Sequence, residues 1–400
     1  MTDNINPQIL RDTVVEVNLD VLASNMRMIK ETVGPATAVM PVVKANGYGH
    51  GAVGIAPALI ENGAEYLAVA TLTEALEIKD AYPDYPVFIL GHTPDRLLHH
   101  IAGRGITQTI FDLRQARLLD ELASRSGKKA VVHIKVDTGF HRLGKVPSEE
   151  YAREIAEMFR LRNLHVEGIF SHLALAGEED DEKQFDMFMS FVDLLKTKGC
   201  HFIYEHIADS IALVDYPKYR LNMVRPGALL YGMKGFHKGH IDVRQAMTFY
   251  THISQLHYIA KGEGVSYDYL WKASRDSVVA TLPFGYADGY PRNMRDKGYV
   301  VIEGVRCPLV GVLCMDQVIA DVTDVPGARE GMKAVIYGDG TDGSMTIEEA
   351  SSLAETNKND IIIHHIGKLF CDFGTGIRIF HFDRTAALFV CPVKVSAGVG

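Results

Sequence analysis

Cysteine is scarce in this sequence, and a long apolar segment is missing. The five cysteines stand far apart without a Cys-x-x-Cys pair, which is typical of free thiols in a reducing cytoplasm. No apolar stretch approaches the roughly 20 residues that span a membrane. The first residues, MTDNINPQILRDT, lack the basic and apolar parts of a signal peptide. We therefore expect a cytoplasmic protein that does not insert into a membrane.

Clusters of basic residues are also missing. The formal net charge is −9, and neither lysine nor arginine forms a run, which argues against nucleic acid as a partner. Hydrophobic residues make up 47% of the 400 positions, as in an ordinary folded protein with a sizeable core. The length exceeds that of one average domain, so we expect a large domain and a smaller one.

The first part of the chain alternates short apolar strands with amphipathic helices. The candidate strands are AVMPVVK, YLAVA, VFILG, TQTIF, AVVHIKVD, VEGIFSH, FIYEHI and NMVRPG. Nearly continuous apolar strands separated by helices predict a parallel sheet with helices outside it. Eight such strands favour an α/β fold of the TIM-like (β/α)8 barrel type over residues 14–247. A doubly wound open sheet is the alternative.

The pattern changes near residue 247. Segments such as SVVATLP, YVVIEG and KAVIYG are separated by Gly, Asp and Pro turns, with few helices between them. This pattern predicts a mostly antiparallel β domain over residues 248–385, against which residues 1–13 pack. Residues 386–400 are expected to form a separate C-terminal tail.

Polar residues follow the candidate barrel strands at their carboxyl ends, where barrel enzymes carry their chemistry. These residues are Lys44, Lys135, Asp137, Arg142, Ser171, His172, His206, Asp209, Ser210 and Arg225. A cationic mouth in an acidic protein predicts an anionic ligand. Lys135 lies inside a strand, so we expect its amine to be paired or chemically modified.

Two features point to pyridoxal 5′-phosphate (PLP). Ser210, with Gly227 and Ala228 after the next strand, offers a hydroxyl and bare backbone N–H groups, as phosphate sites in such barrels do. Lys44 can supply the amine for a Schiff base, with the aromatic Tyr48 close by. Each feature alone has a plainer structural reading, such as a helix cap at Ser210 or a turn at Gly227. Their joint occurrence on consecutive strands favours a site.

The segment VVKANGYGHGA resembles the PLP-attachment signature of the alanine racemase family. The resemblance continues through KVDTGFHRLG, FSHLA, VRPGALLYG, GVSYDYLW, GYADGYPR and GVLCMDQV, in the family's order. It implies a fold-type III PLP-dependent racemase that interconverts L- and D-alanine without a metal. It also implies a head-to-tail homodimer in which each active site is completed by the partner's β domain.

The resemblance also implies a role for each matching residue. Lys44 would hold PLP and act as one of two bases, and Tyr267 from the opposite subunit would be the other. Arg225 would hydrogen-bond the pyridine nitrogen, with His206 and His172 supporting Arg225 and Tyr267. The residues that would hold the phosphate are Tyr48, Ser210, Gly227 and Ala228.

The remaining matches concern the substrate. Arg142 would bind the substrate carboxylate or tune Tyr267, and Met315 would contact the carboxylate through its backbone. Tyr286 resembles a tyrosine at the entrance of the site. Lys135 matches a lysine that is often carbamylated to N6-carboxylysine, whose negative charge would face Arg142.

Two departures from the family's pattern concern the pocket. Asp209 stands where the family usually has asparagine beside the phosphate-binding serine, and a carboxylate there is unfavourable unless it turns away. The stretch NDIIIHHIGKLF lacks the family's C-terminal tyrosine, for which His364 or His365 is the candidate replacement. The missing tyrosine leaves serine, or a basic amino acid such as lysine, ornithine or arginine, as alternative substrates.

Three other functions share parts of this pattern. Metal-dependent hydrolases on the same barrel use a strand lysine with two histidines, as at Lys135, His172 and His206, but also need a His-x-His pair and a late aspartate that we do not find. PLP-dependent decarboxylases share the two-domain fold but not the segment GVSYDYL. Non-catalytic PLP carriers lack the second domain.

Overall fold

The structure is a computed structural model that describes residues 11–236, residues 238–363 and the backbone of residues 371–372. The predicted tail at 386–400 lies outside the described residues, as do residues 1–10 of the segment expected to pack on the β domain. No helix among the described residues combines the length and apolarity that a membrane span requires. Cys200, Cys307 and Cys314 are free thiols.

Eight short parallel strands form the barrel, each from one predicted apolar segment. They are β2 (Ala38–Val39), β3 (Leu67–Val69), β4 (Val87–Ile89), β5 (Thr107–Ile110), β6 (Ala130–Lys135), β7 (Leu164–Phe170), β8 (Tyr204–His206) and β9 (Met223–Val224). Strands β3 to β8 pair in chain order, and β2 pairs with β9. Val42, just beyond β2, bridges Ala68 of β3, and the N–H of Arg225 donates to the carbonyl of Ala208 at 3.0 Å. These contacts close the ring, so the barrel is confirmed and the open sheet was wrong.

Helices surround the barrel and cover the outer faces of its strands. They are α1 (Leu19–Val33), α3 (Ala52–Ile60), α4 (Leu72–Ala81), α5 (Leu98–Arg104), α6 (Leu113–Ser126), α7 (Glu149–Met158), α8 (Glu178–Thr197) and α9 (Ser210–Asp215). Several begin at a polar side chain that accepts backbone N–H groups of the first turn, as at Asn18, Thr71, Asp112 and Ser148. Because both faces of the strands are covered, β3 and β4 are buried at every position.

The second domain is a mostly antiparallel sheet. Its strands are β1 (Val14–Val17), β10 (Met247–His252), β11 (Gln255–Ile259), β14 (Ser277–Leu282), β15 (Tyr299–Ile302), β16 (Val305–Val310), β17 (Val318–Asp321), β18 (Lys333–Tyr337) and β19 (Cys371–Asp372). Their order is β11-β14-β17-β16-β15-β18-β10-β1-β19. A hairpin of β12 (Gly264–Val265) and β13 (Trp271–Lys272) and the helices α10 (Ile347–Leu353) and α11 (Lys358–Ile363) complete it.

One boundary differs from the prediction, because strand β1 belongs to the second sheet and not to the barrel. Val14–Val17 pairs antiparallel with β10. The hydroxyl oxygens of Thr13 and Thr251 lie 3.0 Å apart. Arg11 forms an ion pair with the buried Asp288, with 2.6 Å between Nη1 and Oδ1. The barrel part of the chain therefore starts after β1. The prediction failed here because the pattern VVEV defines a strand but not the sheet that it joins.

Candidate active site

Lys44 opens an unusual turn, α2 (Lys44–Tyr48), after the segment that continues strand β2. The next residues, Ala45 and Asn46, have left-handed backbones with φ of 51° and 52°. This conformation is unfavourable for residues other than glycine, so the surrounding structure must hold it. Glu74 at the start of α4 does so, since its carboxylate accepts the N–H of Ala45 at 2.6 Å.

The presence of glycine at position 47 of this turn has a steric reason. A Cβ atom on Gly47, whose φ is 63°, would lie only 2.9 Å from Cδ1 of Ile55. The side chain of Asn46 accepts the N–H of Ala52 at 2.8 Å and joins the turn to helix α3. The glycine-rich segment after Lys44 therefore packs the turn against α3. This packing fixes the backbone position from which the Lys44 side chain extends.

Most of the predicted barrel residues line one cavity of about 570 Å³. They are Lys44, Tyr48, Lys135, Arg142, His172, Ser210, Arg225, Gly227 and Ala228. Burial, together with the charge of Arg142, lowers the pKa of Lys44. Burial also lowers the pKa of His172 to about 3, and the surrounding cations add to the effect, so this histidine is neutral. The cavity thus holds an anion-attracting set of groups around an amine that deprotonates more easily than an ordinary lysine.

An anion cradle lies beside Lys44 in the same cavity. The hydroxyl of Ser210 accepts the N–H groups of Gly227 at 2.9 Å and Leu229 at 3.2 Å. A Cβ on Gly227 would lie 2.7 Å from the hydroxyl of Tyr48, so only glycine leaves this space open. Burial raises the pKa of Tyr48 to about 12, so its hydroxyl remains a donor. The two hydroxyls, beside the open space that Gly227 leaves, suit a phosphate.

Asp209 does not compete for that position. Its carboxylate accepts the N–H groups of Ile211 and Ala212, both at 3.0 Å, and caps helix α9. The cap of this helix is therefore Asp209, and the reading of Ser210 as a helix cap was wrong. Because the carboxylate is engaged by the helix, the hydroxyl of Ser210 is left for the cradle.

Arg225 is buried at the base of the cavity and held in one orientation. One guanidinium nitrogen, Nη1, donates to Nδ1 of His206 at 2.7 Å. The other, Nη2, donates to the carbonyls of Ser171 at 2.8 Å and Ile207 at 3.0 Å. Burial lowers the pKa of Arg225 to about 10, which still leaves the group charged at neutral pH.

Lys135 is buried at the end of strand β6. Its amine donates to the carbonyl of Val136 at 2.5 Å and lies 5.5 Å from the centre of the Phe170 ring. Burial, and then the charge of Arg225, lowers the pKa of Lys135 to about 7. With its pKa lowered toward neutrality, part of the Lys135 amine is uncharged at physiological pH, and a neutral amine is a nucleophile.

Tyr267, Tyr286 and Met315 lie together on loops of the β domain, and none of them lines the cavity. Ser266 beside Tyr267 donates to the carbonyl of Val312 at 2.8 Å. The N–H after Tyr286, that of Ala287, donates to the carbonyl of Met315 at 2.9 Å. Tyr267 and Met315 are 66% and 53% exposed. The structure therefore gathers these three residues on one surface but does not bring them to Lys44 within one chain.

The start of helix α11 supplies cavity residues that were not predicted. His364 and His365 lie outside the described residues, whereas Asn357, Lys358 and Asn359, at the start of α11, line the cavity. Helix α11 contacts the Lys44 turn. The amide oxygen of Asn359 is buried without a hydrogen-bond partner among the described residues.

Three further residues around the site were missed by the sequence reasoning. Glu74 supports the Lys44 turn, and His133 and Glu167 stand behind His206. The capping pattern Thr71-Leu-Thr-Glu74 could have pointed to Glu74. His133 lies two positions before Lys135 on the same strand, so both side chains face the barrel interior, a signal that the sequence reasoning did not use.

Fold and site together define a two-domain barrel protein whose mouth combines an activated lysine with an anion cradle. Sequence profiles described as "Alanine racemase, N-terminal domain" and "Alanine racemase, C-terminal domain" match residues 17–235 and 246–368. "Alanine racemase 2" of Caldanaerobacter subterraneus subsp. tengcongensis is 41% identical over 88% of this chain and 92% of its own length. The alanine racemase of Clostridium tetani is 38% identical over 87% of this chain and 91% of its own. The chain belongs to the alanine racemase family.

Solved structures agree with this assignment. The alanine racemase of Clostridium difficile superposes with a TM-score of 0.88 at 31% identity and covers 94% of this chain and 98% of its own. Its complex with cycloserine superposes with a TM-score of 0.84. The hydrolase alternative was wrong, because both ring nitrogens of His206 are engaged, by Arg225 and by His133. The other two alternatives, the decarboxylase and the carrier, do not fit this family either.

Proposed function

We propose that this protein interconverts L- and D-alanine with PLP as its cofactor, as a cytoplasmic homodimer. The observation that carries the proposal is that Lys44 and the cradle of Ser210 and Gly227 open into the same cavity. Relatives and structural neighbours carry the name alanine racemase over most of the chain. The residues that would hold the cofactor therefore lie in one place.

The residues of the cavity fit PLP. Lys44 would hold the aldehyde carbon, and Tyr48, Ser210, Gly227 and Ala228 would hold the phosphate. When bound, PLP would withdraw electrons from the substrate's α-carbon and so make its proton more acidic. Arg225 would donate a hydrogen bond to the pyridine nitrogen and keep its own proton, because a guanidinium remains charged even where burial lowers its pKa to about 10.

Racemisation removes a proton from one face of the α-carbon and returns one to the other face, so it needs two bases on opposite sides. Lys44 would serve one face. Tyr267 would serve the other from the partner subunit, because in its own chain it is exposed and does not line the cavity. Two such chains related by a twofold axis would complete two equivalent sites. Tyr286 would then stand at the entrance, and Met315 would offer a backbone group to the substrate.

Arg142 and Lys135 would orient the substrate and its base. Arg142 lines the cavity and is exposed to solvent. Its guanidinium carbon lies 4.3 Å from the centre of the Phe140 ring. The partly neutral amine of Lys135 can add to carbon dioxide and release a proton, giving N6-carboxylysine. The new carboxylate would face Arg142 and hold it against the substrate's own carboxylate. His172 is neutral at physiological pH and would form a hydrogen bond with Tyr267, either as acceptor or as donor.

The test is α-proton exchange in deuterium oxide, followed by NMR over a panel of L-amino acids. The panel contains alanine, serine, lysine, ornithine and arginine, and chiral chromatography identifies the products. We expect exchange with racemisation of alanine. A purified protein that binds PLP yet exchanges none of these substrates would refute the proposal.

Serine is a second candidate substrate, and Asn359 is the observation that favours it. This residue lines the cavity, and its amide oxygen is buried without a partner among the described residues. An unpartnered buried acceptor is costly, and a substrate hydroxyl would satisfy it. Faster turnover of serine than of alanine, reversed in Asn359→Ala, would establish serine as the main substrate.

A further inference from the structure

A line of buried polar side chains continues from Arg225 into the barrel interior. Nε2 of His206 lies 2.9 Å from Nδ1 of His133, and Nε2 of His133 lies 3.2 Å from a carboxylate oxygen of Glu167. Tyr66 donates its hydroxyl to the same oxygen at 2.5 Å. A guanidinium and a carboxylate are thus joined through two imidazole rings. His133, Glu167 and Tyr66 do not line the cavity and take no part in the chemistry proposed above.

The two ends determine where the protons lie. A guanidinium has only donors, so the hydrogen bond from Arg225 requires a lone pair on Nδ1 of His206. A neutral His206 then carries its proton on Nε2 and donates it to His133. By the same rule, His133 carries its proton on Nε2 and donates it to Glu167, which as a carboxylate only accepts. Every hydrogen bond therefore points from Arg225 toward Glu167.

The protonation states agree with this direction. Burial, and then the charge of Arg225, lowers the pKa of His206 well below its ordinary value, so the ring is neutral. Burial likewise lowers the pKa of His133. Burial raises the pKa of Glu167, but the hydrogen bonds from His133 and Tyr66 outweigh it, so the carboxyl pKa is lowered overall. Glu167 is ionised at neutral pH and remains an acceptor.

The barrel interior is shaped around the two rings. Gly168 makes room for His133, since a Cβ there would lie 2.6 Å from Nδ1 of the ring. Phe170 stacks on His206 with 4.9 Å between ring centres, and Phe88 packs on His133 at 4.7 Å. The pairing of β6 with β7 shifts register between Val132 and His133. Because neighbours confine both rings, a ring flip cannot easily exchange the two nitrogens.

We propose that Glu167, acting through His133, is a positioning residue for Arg225 because it selects the tautomer of His206. In the opposite tautomer, His206 would turn an N–H toward the guanidinium, donor would face donor, and Arg225 would lose its acceptor. The carboxylate at the far end prevents this arrangement, since it cannot donate a proton to His133. The inference rests on the proposed function, in which Arg225 faces the pyridine nitrogen.

The test compares Glu167→Gln with Glu205→Gln. Glutamine keeps the size of Glu167 but removes the charge and offers a donor as well as an acceptor, so it no longer selects one tautomer. Glu205 lies on the neighbouring strand β8, its side chain is 15% exposed against 16% for Glu167, and it pairs with Lys196 at 3.0 Å. The control variant thus undergoes the same chemical change at equal exposure, outside the line of hydrogen bonds.

The first measurement is ¹⁵N NMR of the histidine rings in the cofactor-free protein. We expect His133 and His206 to carry their protons on Nε2 in the wild type and in Glu205→Gln, and to show mixed tautomers in Glu167→Gln. In the PLP-loaded enzyme, Glu167→Gln should lower kcat by roughly ten- to a hundredfold, the size of effect seen when a hydrogen-bond partner of a metal-ligating histidine is removed. Its KM and unfolding temperature should stay close to those of Glu205→Gln.

Two results would overturn the inference. One is a wild-type His206 that is charged or carries its proton on Nδ1. The other is a Glu167→Gln variant with unchanged tautomers and unchanged kcat. Failure of the proposed function would look different, because the wild type would then not racemise alanine, while the NMR spectra of the cofactor-free protein would still decide the tautomers.

Discussion

The barrel mouth and the loops of the β domain carry two groups of predicted site residues, and they differ most in burial. At the mouth, Tyr48 and Arg225 are 8% and 5% exposed and are held by contacts within their own chain. On the loops, Tyr267 and Met315 are 66% and 53% exposed. Tyr269 and Leu270 beside them are also exposed, so the loops present an apolar patch to solvent.

This difference teaches how the site would be assembled. Folding of one chain is enough to place the buried cations and the anion cradle. The exposed Tyr267 does not line this cavity in its own chain. Exposed apolar patches of this kind commonly mark protein interfaces. The contrast therefore supports a site whose second half comes from another copy, and it predicts that substitutions in the two halves will have different consequences.

The largest effect is expected at the buried half. Lys44→Ala removes the amine that would hold PLP, so both the absorbance of the bound cofactor and the racemase activity should disappear. Absorption spectra after incubation with PLP and chiral assays of alanine measure the two quantities. Because the substitution only shortens a side chain that lines a cavity, the unfolding temperature of the cofactor-free protein should change little. Cofactor absorbance like that of the wild type would contradict the assignment of Lys44.

A smaller and more selective effect is expected at the exposed half. Tyr267→Phe keeps the ring but removes the hydroxyl that would move the proton, and general acid–base groups contribute about 10²- to 10⁴-fold to rates. We expect a loss of that size in kcat, mainly for proton abstraction from L-alanine. The cofactor spectrum and the unfolding temperature should be unchanged. Full racemase activity in Tyr267→Phe would refute the two-base assignment.

Mixing the two inactive variants sharpens the comparison. If the halves come from different subunits, a dimer of one Lys44→Ala and one Tyr267→Phe chain has one intact site and one doubly defective site. Random exchange of subunits should then restore about a quarter of the wild-type activity. No recovery, despite mixed dimers shown by native mass spectrometry, would mean that each site is formed within one chain.

The smallest effect is expected at Asp209, which borders the cradle but serves the fold. Asp209→Ala removes the acceptor of two N–H groups of α9, so it should lower the free energy of unfolding by about 1 kcal/mol. Asp209→Asn retains a capping oxygen and should be nearly neutral. Urea denaturation of the cofactor-free variants measures both. Equal destabilisation by Ala and Asn would mean that the carboxylate charge, and not the cap, stabilises this helix.

Local sequence patterns were enough to predict much of the fold and part of the site. Each of the eight barrel strands comes from one predicted segment, because strands covered on both faces are rich in apolar and β-branched residues. Lys44, Ser210 and Arg225 were found because a barrel places the carboxyl ends of its strands at one mouth. Sequence failed where the partner of an element is remote, as for β1, whose pairing strand β10 follows more than 200 residues later.

Remote contacts also hid part of the site. His133 and Glu167 lie on adjacent strands, and only the barrel brings them into line with His206. The cavity residue Asn359 was not predicted, because sequence spacing alone does not show that the start of α11 contacts the Lys44 turn. These relations depend on distances between segments, which no local pattern contains.

By itself the sequence determined the alternation of strands and helices, the β domain, the chemical types at the strand ends and the resemblance to a family, since periodicity and short motifs are local properties of the chain. Only the tertiary structure decided that Asp209 caps a helix, that His206 is locked between Arg225 and His133, and that Tyr267 lies outside the cavity of its own chain. The physical reason is that protonation, burial and pairing depend on what surrounds a side chain in space. Those surroundings come from segments far apart in the sequence.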